Sequence, residues 1–148
     1  MGTRADYYVG RGPDAEWLGS TAWDGYPHGV FEATPELFPA TVETWREWVA
    51  TLLAGRGDAT LPGQGWPWPW DNSRTTDFSY AWDRGVIWGS EFGHSWFRLD
   101  PDAEDFGQSE DDADGPKVDF PDMSARKAVT LGPRSGVIVV GIRQDDES

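Results

Sequence analysis

Large apolar residues alternate with small or polar ones in several short runs of the chain, and in one longer run they recur at helical spacing. Asp6-Tyr7-Tyr8-Val9-Gly10-Arg11 is β-prone, Gly12-Pro13-Asp14 carries turn chemistry, and residues 16–23 return as the second strand of a hairpin. Residues 24–29 break regular structure through Gly25, Pro27 and Gly29. Thr34-Pro35-Glu36 then offers an N-cap, a proline at the first helical position and an acid in the first turn. Pro39 divides a lead-in turn from a main helix that starts near Ala40. Val42, Trp45, Val49, Leu52 and Leu53 fall on one face of that helix, Glu43, Arg46 and Glu47 on the other, and Gly55 ends it. Residues 57–65 read as loop. Thr76-Asp77-Phe78-Ser79-Tyr80-Ala81-Trp82 has the period of a half-buried strand, Asp83-Arg84-Gly85 turns, and residues 86–92 pair back. Residues 128–131 and 137–142 flank Gly132-Pro133-Arg134-Ser135-Gly136 as a third hairpin, whose last strand is apolar on both faces and belongs inside a sheet.

These elements predict an α+β fold: a twisted antiparallel sheet of about six strands in three hairpins, with one main helix packed on one face. The helix brings Trp45 and Trp48 to the sheet, where Phe78, Tyr80 and Trp82 meet them. Residues 1–148 are read as a single domain with an exposed loop at about residues 100–122, where ten acidic residues stand against Lys117.

Composition narrows the functional classes. With 12 basic and 26 acidic residues the chain carries a formal net charge of −14, which opposes nucleic acid and anionic membrane surfaces as partners. It has no cysteine, and its two histidines are His28 and His94. Disulfides, thiolate nucleophiles and multi-histidine metal sites are thereby removed, and neither a metal nor a cofactor is expected. No apolar run reaches the length of a membrane span. Residues 1–10 lack the layout of a signal peptide, and Asp6 replaces the Ser or Thr of an acylation motif, so the expected location is cytoplasmic.

Ten tryptophans are more than a core of this size requires. Trp66-Pro67-Trp68-Pro69-Trp70 is the most unusual string. As an extended strand it would place its indoles on one face, a platform for a sugar, a base or a proline; as a polyproline helix it would scatter them. The plainer reading has one or two indoles in the core and the rest covering it. Asp71, Arg74 and Asp77 follow directly, and polar groups beside an aromatic wall suit a small-ligand pocket. The plainer alternative there is an Asx turn with a surface ion pair. Arg11, between two glycines, is a second candidate anion holder. His94 stands between Glu91 and Ser95, but neighbours along a strand face opposite ways and make poor evidence for catalysis. The string Glu110-Asp111-Asp112-Ala113-Asp114-Gly115 begins like a calcium loop, yet Pro121 occupies the position that needs a bidentate Glu.

The opening Met1-Gly2-Thr3-Arg4-Ala5-Asp6-Tyr7-Tyr8-Val9-Gly10-Arg11-Gly12 resembles that of small uncharacterised proteins of bacteria and their mobile elements. Glu16-Trp17-Leu18-Gly19-Ser20, Ala22-Trp23-Asp24-Gly25-Tyr26-Pro27, Trp68-Pro69-Trp70, Ser73-Arg74-Thr75-Thr76-Asp77, and Gly93 with Trp96-Phe97 carry the same likeness. The resemblance spans about two thirds of the chain and implies no activity.

The reading that fits best is a non-enzymatic protein that occupies a basic protein surface, as an inhibitor, immunity or anti-defence factor, without direct contact to nucleic acid or membrane. Asp102, Glu104, Asp105, Glu110, Asp111, Asp112 and Asp114 would steer the encounter, and aromatic anchors would supply affinity. The alternative is a small-ligand or nucleotide-handling protein, an enzyme included, with a pocket of Arg11, Trp23, Asp24, Trp68, Trp70, Arg74 and Asp77. A third reading has the tryptophan run, Trp66 included, bind carbohydrate.

Overall fold

A computed structural model describes residues 3–31, 41–100 and 118–127. Six strands form one sheet in the order β3-β2-β1-β4-β5-β6. They are β1 (Ala5–Val9), β2 (Glu16–Thr21), β3 (Ala59–Thr60), β4 (Phe78–Asp83), β5 (Val86–Glu91) and β6 (Phe97–Arg98). Two helices accompany them, α1 (Pro27–Phe31) and the main helix α2 (Val42–Ala54).

The class is α+β, as the patterning predicts, but the sheet is mixed instead of antiparallel throughout. β1 and β4 run parallel, from Ala5 opposite Phe78 to Val9 opposite Trp82. Parallel neighbours cannot be joined by a tight hairpin: antiparallel β2 returns the chain to the Ala5 end of β1, and the long connection through α2, β3 and residues 61–77 then leads to the start of β4. The hairpins β1–β2 and β4–β5 form as expected. The edge strands β3 and β6 have two residues each, too few to show a period in sequence. One turn of helix, α1, occupies part of the stretch expected to be irregular. The third hairpin, the Thr34-Pro35-Glu36 cap and Pro39 lie outside the described residues.

Helix α2 starts where its side chains satisfy its first amides. The Thr44 amide donates to Thr41 Oγ1 at 3.1 Å, and the Thr41 amide donates to Thr44 Oγ1 at 2.9 Å. This is a capping box with Thr in the place usually held by Glu or Gln. The helix buries Trp45, Val49 and Leu53, three of the five residues assigned to its apolar face; Val42 and Leu52 are half-buried. The face packs on Ala5, Tyr7, Phe78, Tyr80 and Ile87 of the sheet, with Phe31 between. Trp45 Nε1–H donates to the Tyr8 carbonyl at 2.8 Å, which pins the helix to β1.

The opposite sheet face is also covered. A strap of residues 61–77 and the segment 118–127 lie across it, and Tyr8, Trp17, Trp66, Ala81, Phe120 and Met123 form a second core there. The Trp66 amide donates to the Arg126 carbonyl at 2.6 Å, and that of Met123 to the Asp71 carbonyl at 2.6 Å. The end of the acidic stretch therefore departs from the expected exposed loop: Phe120 and Pro121 are buried. An apolar pair placed in a charged sequence is drawn under cover by the same area term as any core residue.

Phe92 and Gly93 make the tight turn after β5, both left-handed, with φ of 54° and 80°. A Cβ on Gly93 would lie 2.5 Å from the Arg74 carbonyl oxygen, so Gly93→Ala adds a backbone clash to an unfavourable φ. It is expected to cost about 1–3 kcal/mol, measured by urea unfolding. A loss below about 0.5 kcal/mol would show that strap and turn part easily.

Candidate functional site

Polar and aromatic groups concentrate in two regions, a buried polar centre under the strap and one end of the sheet. The centre is built around Asp6, which is fully buried on β1. Asp6 stands opposite Ser20 of β2 on one side and Ser79 of β4 on the other, and Ser79 stands opposite Ser90 of β5. Ser20 donates to Asp6 Oδ1 at 2.6 Å, Trp68 Nε1–H to the same oxygen at 2.7 Å, and Ser73 to Oδ2 at 2.6 Å. Each serine is itself fed. Trp17 Nε1–H donates to Ser20 Oγ at 3.0 Å. Because Ser73 spends its proton on Asp6, the Tyr8 hydroxyl donates to Ser73 Oγ, at 2.5 Å. Burial pushes the Asp6 pKa above its ordinary value, although Ser20, Ser73, Trp68 and Thr76 pull it down. Burial also pushes the Tyr8 hydroxyl well above its usual range, with the Asp6 charge adding to the effect. The centre ties strap to sheet; its carboxylate has no exposure.

Trp66-Pro67-Trp68-Pro69-Trp70 adopts the plainer of the arrangements open to it. Trp66 is buried, edge-on to Trp17 with centroids 5.2 Å apart. Trp68 and Trp70 are half-buried and lie nearly parallel, 13° between planes and 6.1 Å between centroids. The Arg4 guanidinium already sits over both, 4.6 Å from the Trp70 ring centre and 5.5 Å from that of Trp68. The polar string that follows forms the Asx turn: the Arg74 amide donates to Asn72 Oδ1 at 2.9 Å. Asp71 pairs with Lys127 at 2.8 Å, not with Arg74. Asp77 Oδ2 accepts from the Arg4 amide at 2.9 Å.

The candidate pocket residues do not all meet. Arg11 lies past the end of β1, paired with Asp83 at 3.0 Å and stacked over Trp88 at 4.0 Å. Arg4, Arg74 and Asp77 lie at the other end, roughly 20 Å away at about 3.3 Å per strand residue. His94 Nδ1 is 3.0 Å from the Glu91 carbonyl oxygen, which only accepts, so that nitrogen carries the proton. Asp102, Glu104, Asp105, Glu110, Asp111, Asp112 and Asp114 lie outside the described residues. Among the described residues no group of three or more His, Cys, Asp or Glu is placed to hold a metal ion. None of their helices is long and apolar enough to cross a membrane.

No known family, curated protein or solved structure matches this chain.

The end of the sheet that holds Arg4 gathers most of the exposed large rings. Thr21, Ala5, Phe78 and Glu91 form one row across β2, β1, β4 and β5. Just beyond it stand Trp23, 57% exposed, Tyr26 and Phe92, each 43% exposed. The row is about 14 Å wide at ~4.8 Å per strand.

The loop that carries Trp23 is clamped. Asp58 Oδ2 accepts from the amides of Ala22 at 3.0 Å and Trp23 at 2.7 Å. Arg56 pairs with Asp58 through Nε at 2.7 Å, and its Nη2 donates to the Trp23 carbonyl at 2.7 Å. Burial pulls the Asp58 pKa up, but Arg56 and the two amides outweigh it and hold the group below the ordinary carboxylate value. Further along, the Gly25 amide donates to the Thr3 carbonyl at 2.8 Å, and the Tyr80 hydroxyl donates to the Gly25 carbonyl at 2.5 Å. A Cβ on Gly25 would lie 2.6 Å from the Ala5 Cβ. The φ of Asp24 is 55°.

Trp23 and Asp24 are among the candidates the sequence offers; Tyr26, Phe92 and the Arg56–Asp58 clamp are not. The one local signal for Phe92 is its place before Gly93, where a tight turn of this type favours Asn or Asp.

Proposed function

We propose that this chain is a non-enzymatic binding protein that occupies a basic surface on another protein, an inhibitor, immunity or anti-defence factor working in the cytoplasm. The observation that carries the reading is the set of exposed rings at one end of the sheet, held on a backbone that cannot relax away. Trp23 sits on a loop hydrogen-bonded on both sides, and Phe92 keeps a left-handed φ of 54° that disfavours a bulky side chain. Exposed rings are unremarkable singly; rigid presentation lowers the ordering cost of binding, and Trp and Tyr are the commonest hot-spot anchors. The net charge of −14 supplies the steering toward a cationic counterpart. The small-ligand alternative loses ground because Arg11 is remote from Arg74, and Arg4 already covers the Trp68–Trp70 pair.

Two substitutions test it. Trp23→Ala is expected to change folding stability by less than about 0.5 kcal/mol. Phe92→Asn suits the turn better and is expected to leave stability unchanged or raise it. Each should weaken the affinity for a cationic partner at least tenfold, about 1.4 kcal/mol. The partner is isolated by comparing what wild type and Trp23→Ala capture from bacterial lysate, then purified and titrated from low to high salt. A partner whose Kd ignores salt, or both substitutions alike, would overturn the reading.

A further inference from the structure

The same molecule shows how its indoles are used when an arginine is at hand. Arg11 lies 4.0 Å from the centre of the Trp88 ring while its Nε pairs with Asp83 Oδ2 at 3.0 Å. Arg4 lies 4.6 Å from the centre of Trp70. An indole face with a carboxylate beside it is a good receptor for a guanidinium, whose planar cation stacks on the ring and donates to the acid at once. Lysine, a compact and strongly hydrated charge, gains less from such a pair.

Trp23 and Asp24 present the same two groups with no arginine on them among the described residues. Trp23 is 57% exposed, and Asp24 is exposed and makes no ion pair among the described residues. Arg56, whose charge Asp24 also feels, is already committed to Asp58. The clamps on Ala22, Trp23 and Gly25 fix both residues on a turn that projects from the end of the sheet. Resting on the reading of this end as a partner-binding surface, we infer that Trp23 and Asp24 form a notch for one arginine side chain of a cationic partner protein. Tyr26, two residues along the same turn and itself 43% exposed, supplies apolar contact beside it, and the negative charge of the whole chain selects a basic surface over an acidic or neutral one.

The probe is an end-capped Gly-Arg-Gly peptide, compared with its citrulline and lysine counterparts. Citrulline keeps the shape of arginine and removes the charge. The readout is the Nε1–H resonance of Trp23 in nitrogen-15 NMR of the full chain, identified by its loss in Trp23→Ala; peptide held by carboxylates elsewhere leaves it unmoved. The arginine peptide is expected to shift this resonance with half-saturation at least fivefold below that of the citrulline peptide, and below that of lysine. Asp24→Asn should raise the arginine half-saturation point several-fold while leaving the thermal midpoint unchanged. Equal response to arginine and citrulline, no response to either, or indifference to Asp24→Asn overturns the notch. The two readings fail separately. A partner that needs Trp23 yet ignores Asp24→Asn, with citrulline as good as arginine, removes the notch and keeps the binding surface. An intact arginine response, with no protein whose affinity depends on Trp23, does the reverse.

Discussion

Asp6→Ala is expected to lower folding stability by about 3–5 kcal/mol, the cost of removing one member from a fully buried polar cluster, and the thermal midpoint by roughly 10 °C or more. The reason lies in the donors it abandons. Ser20, Ser73 and Trp68 all point at this carboxylate from distances of 2.6 to 2.7 Å, and Ser20 and Ser73 are themselves buried away from water. Trp68 and Ser73 belong to the strap, so the substitution also frees the covering layer from the sheet. Asp6→Asn keeps one acceptor oxygen and is expected to lose less. The pair also yields a pH test. A carboxyl whose folded pKa is raised above its unfolded one holds its proton more tightly in the fold. Burial is the largest cause of the Asp6 shift. The stability of the wild type relative to Asp6→Asn should therefore be highest below about pH 4, near the ordinary value of 3.8. It should fall as pH rises through the folded pKa and level off above it. Urea unfolding of both proteins at stepped pH gives the slope; a difference that grows with pH would mean that the hydrogen bonds outweigh burial.

Trp45→Ala is expected to cost about 3–5 kcal/mol as well, by emptying the centre of the helix–sheet layer. Trp45 is fully buried, and its ring lies 6.4 Å from Phe31, 6.5 Å from Tyr7 and 5.5 Å from Trp48, measured between centres. Trp45→Phe separates the two roles of the indole. It retains most of the apolar area but strips the donor from the Tyr8 carbonyl, leaving an acceptor buried without its partner, so the expected loss is about 1–3 kcal/mol. Chemical denaturation of the two variants reads both values. If Trp45→Phe costs as much as Trp45→Ala, the hydrogen bond, not the packing, holds α2 to β1.

The salt bridge on the outer face of α2 is a useful contrast. Arg46 meets Glu16 through two nitrogens at 2.9 and 2.5 Å, yet both side chains are close to half exposed. An exposed pair of this kind contributes at most about 1 kcal/mol. Short distance does not make an interaction strong when water competes for both charges.

Local pattern was enough for the elements whose signals are local. The 3, 4 and 7 spacing of Trp45, Val49 and Leu53 announces α2, and the alternation around Phe78, Tyr80 and Trp82 announces β4. The Arg84-Gly85 and Gly12-Pro13 turns announce two hairpins, and the plain reading of the Trp-Pro string, part core and part cover, also holds. What no single strand discloses is which of its faces will be covered. Alternation puts Asp6, Ser20, Ser79 and Ser90 on the side opposite Tyr7 and Tyr80, which reads as a solvent face. It becomes an interior because the strap and residues 118–127 lie on it, and covering depends on contacts far apart in sequence, such as Trp68 with Asp6. For the same reason Arg11 and Arg74, both plausible anion holders, proved to stand at opposite ends of the sheet: the parallel pairing of β1 with β4 decides that, and no local signal encodes it. The exposed end is a similar case. Trp23 and Phe92 are 69 positions apart in sequence, and the pairing of four strands brings both to the same end of the sheet. Side-chain chemistry and short-range spacing thus settled the helix, the two hairpins among the described residues and the charge. Tertiary pairing decided what is buried and what is brought together, because strand order and coverage are set by the free energy of the whole core and not by any window of the chain.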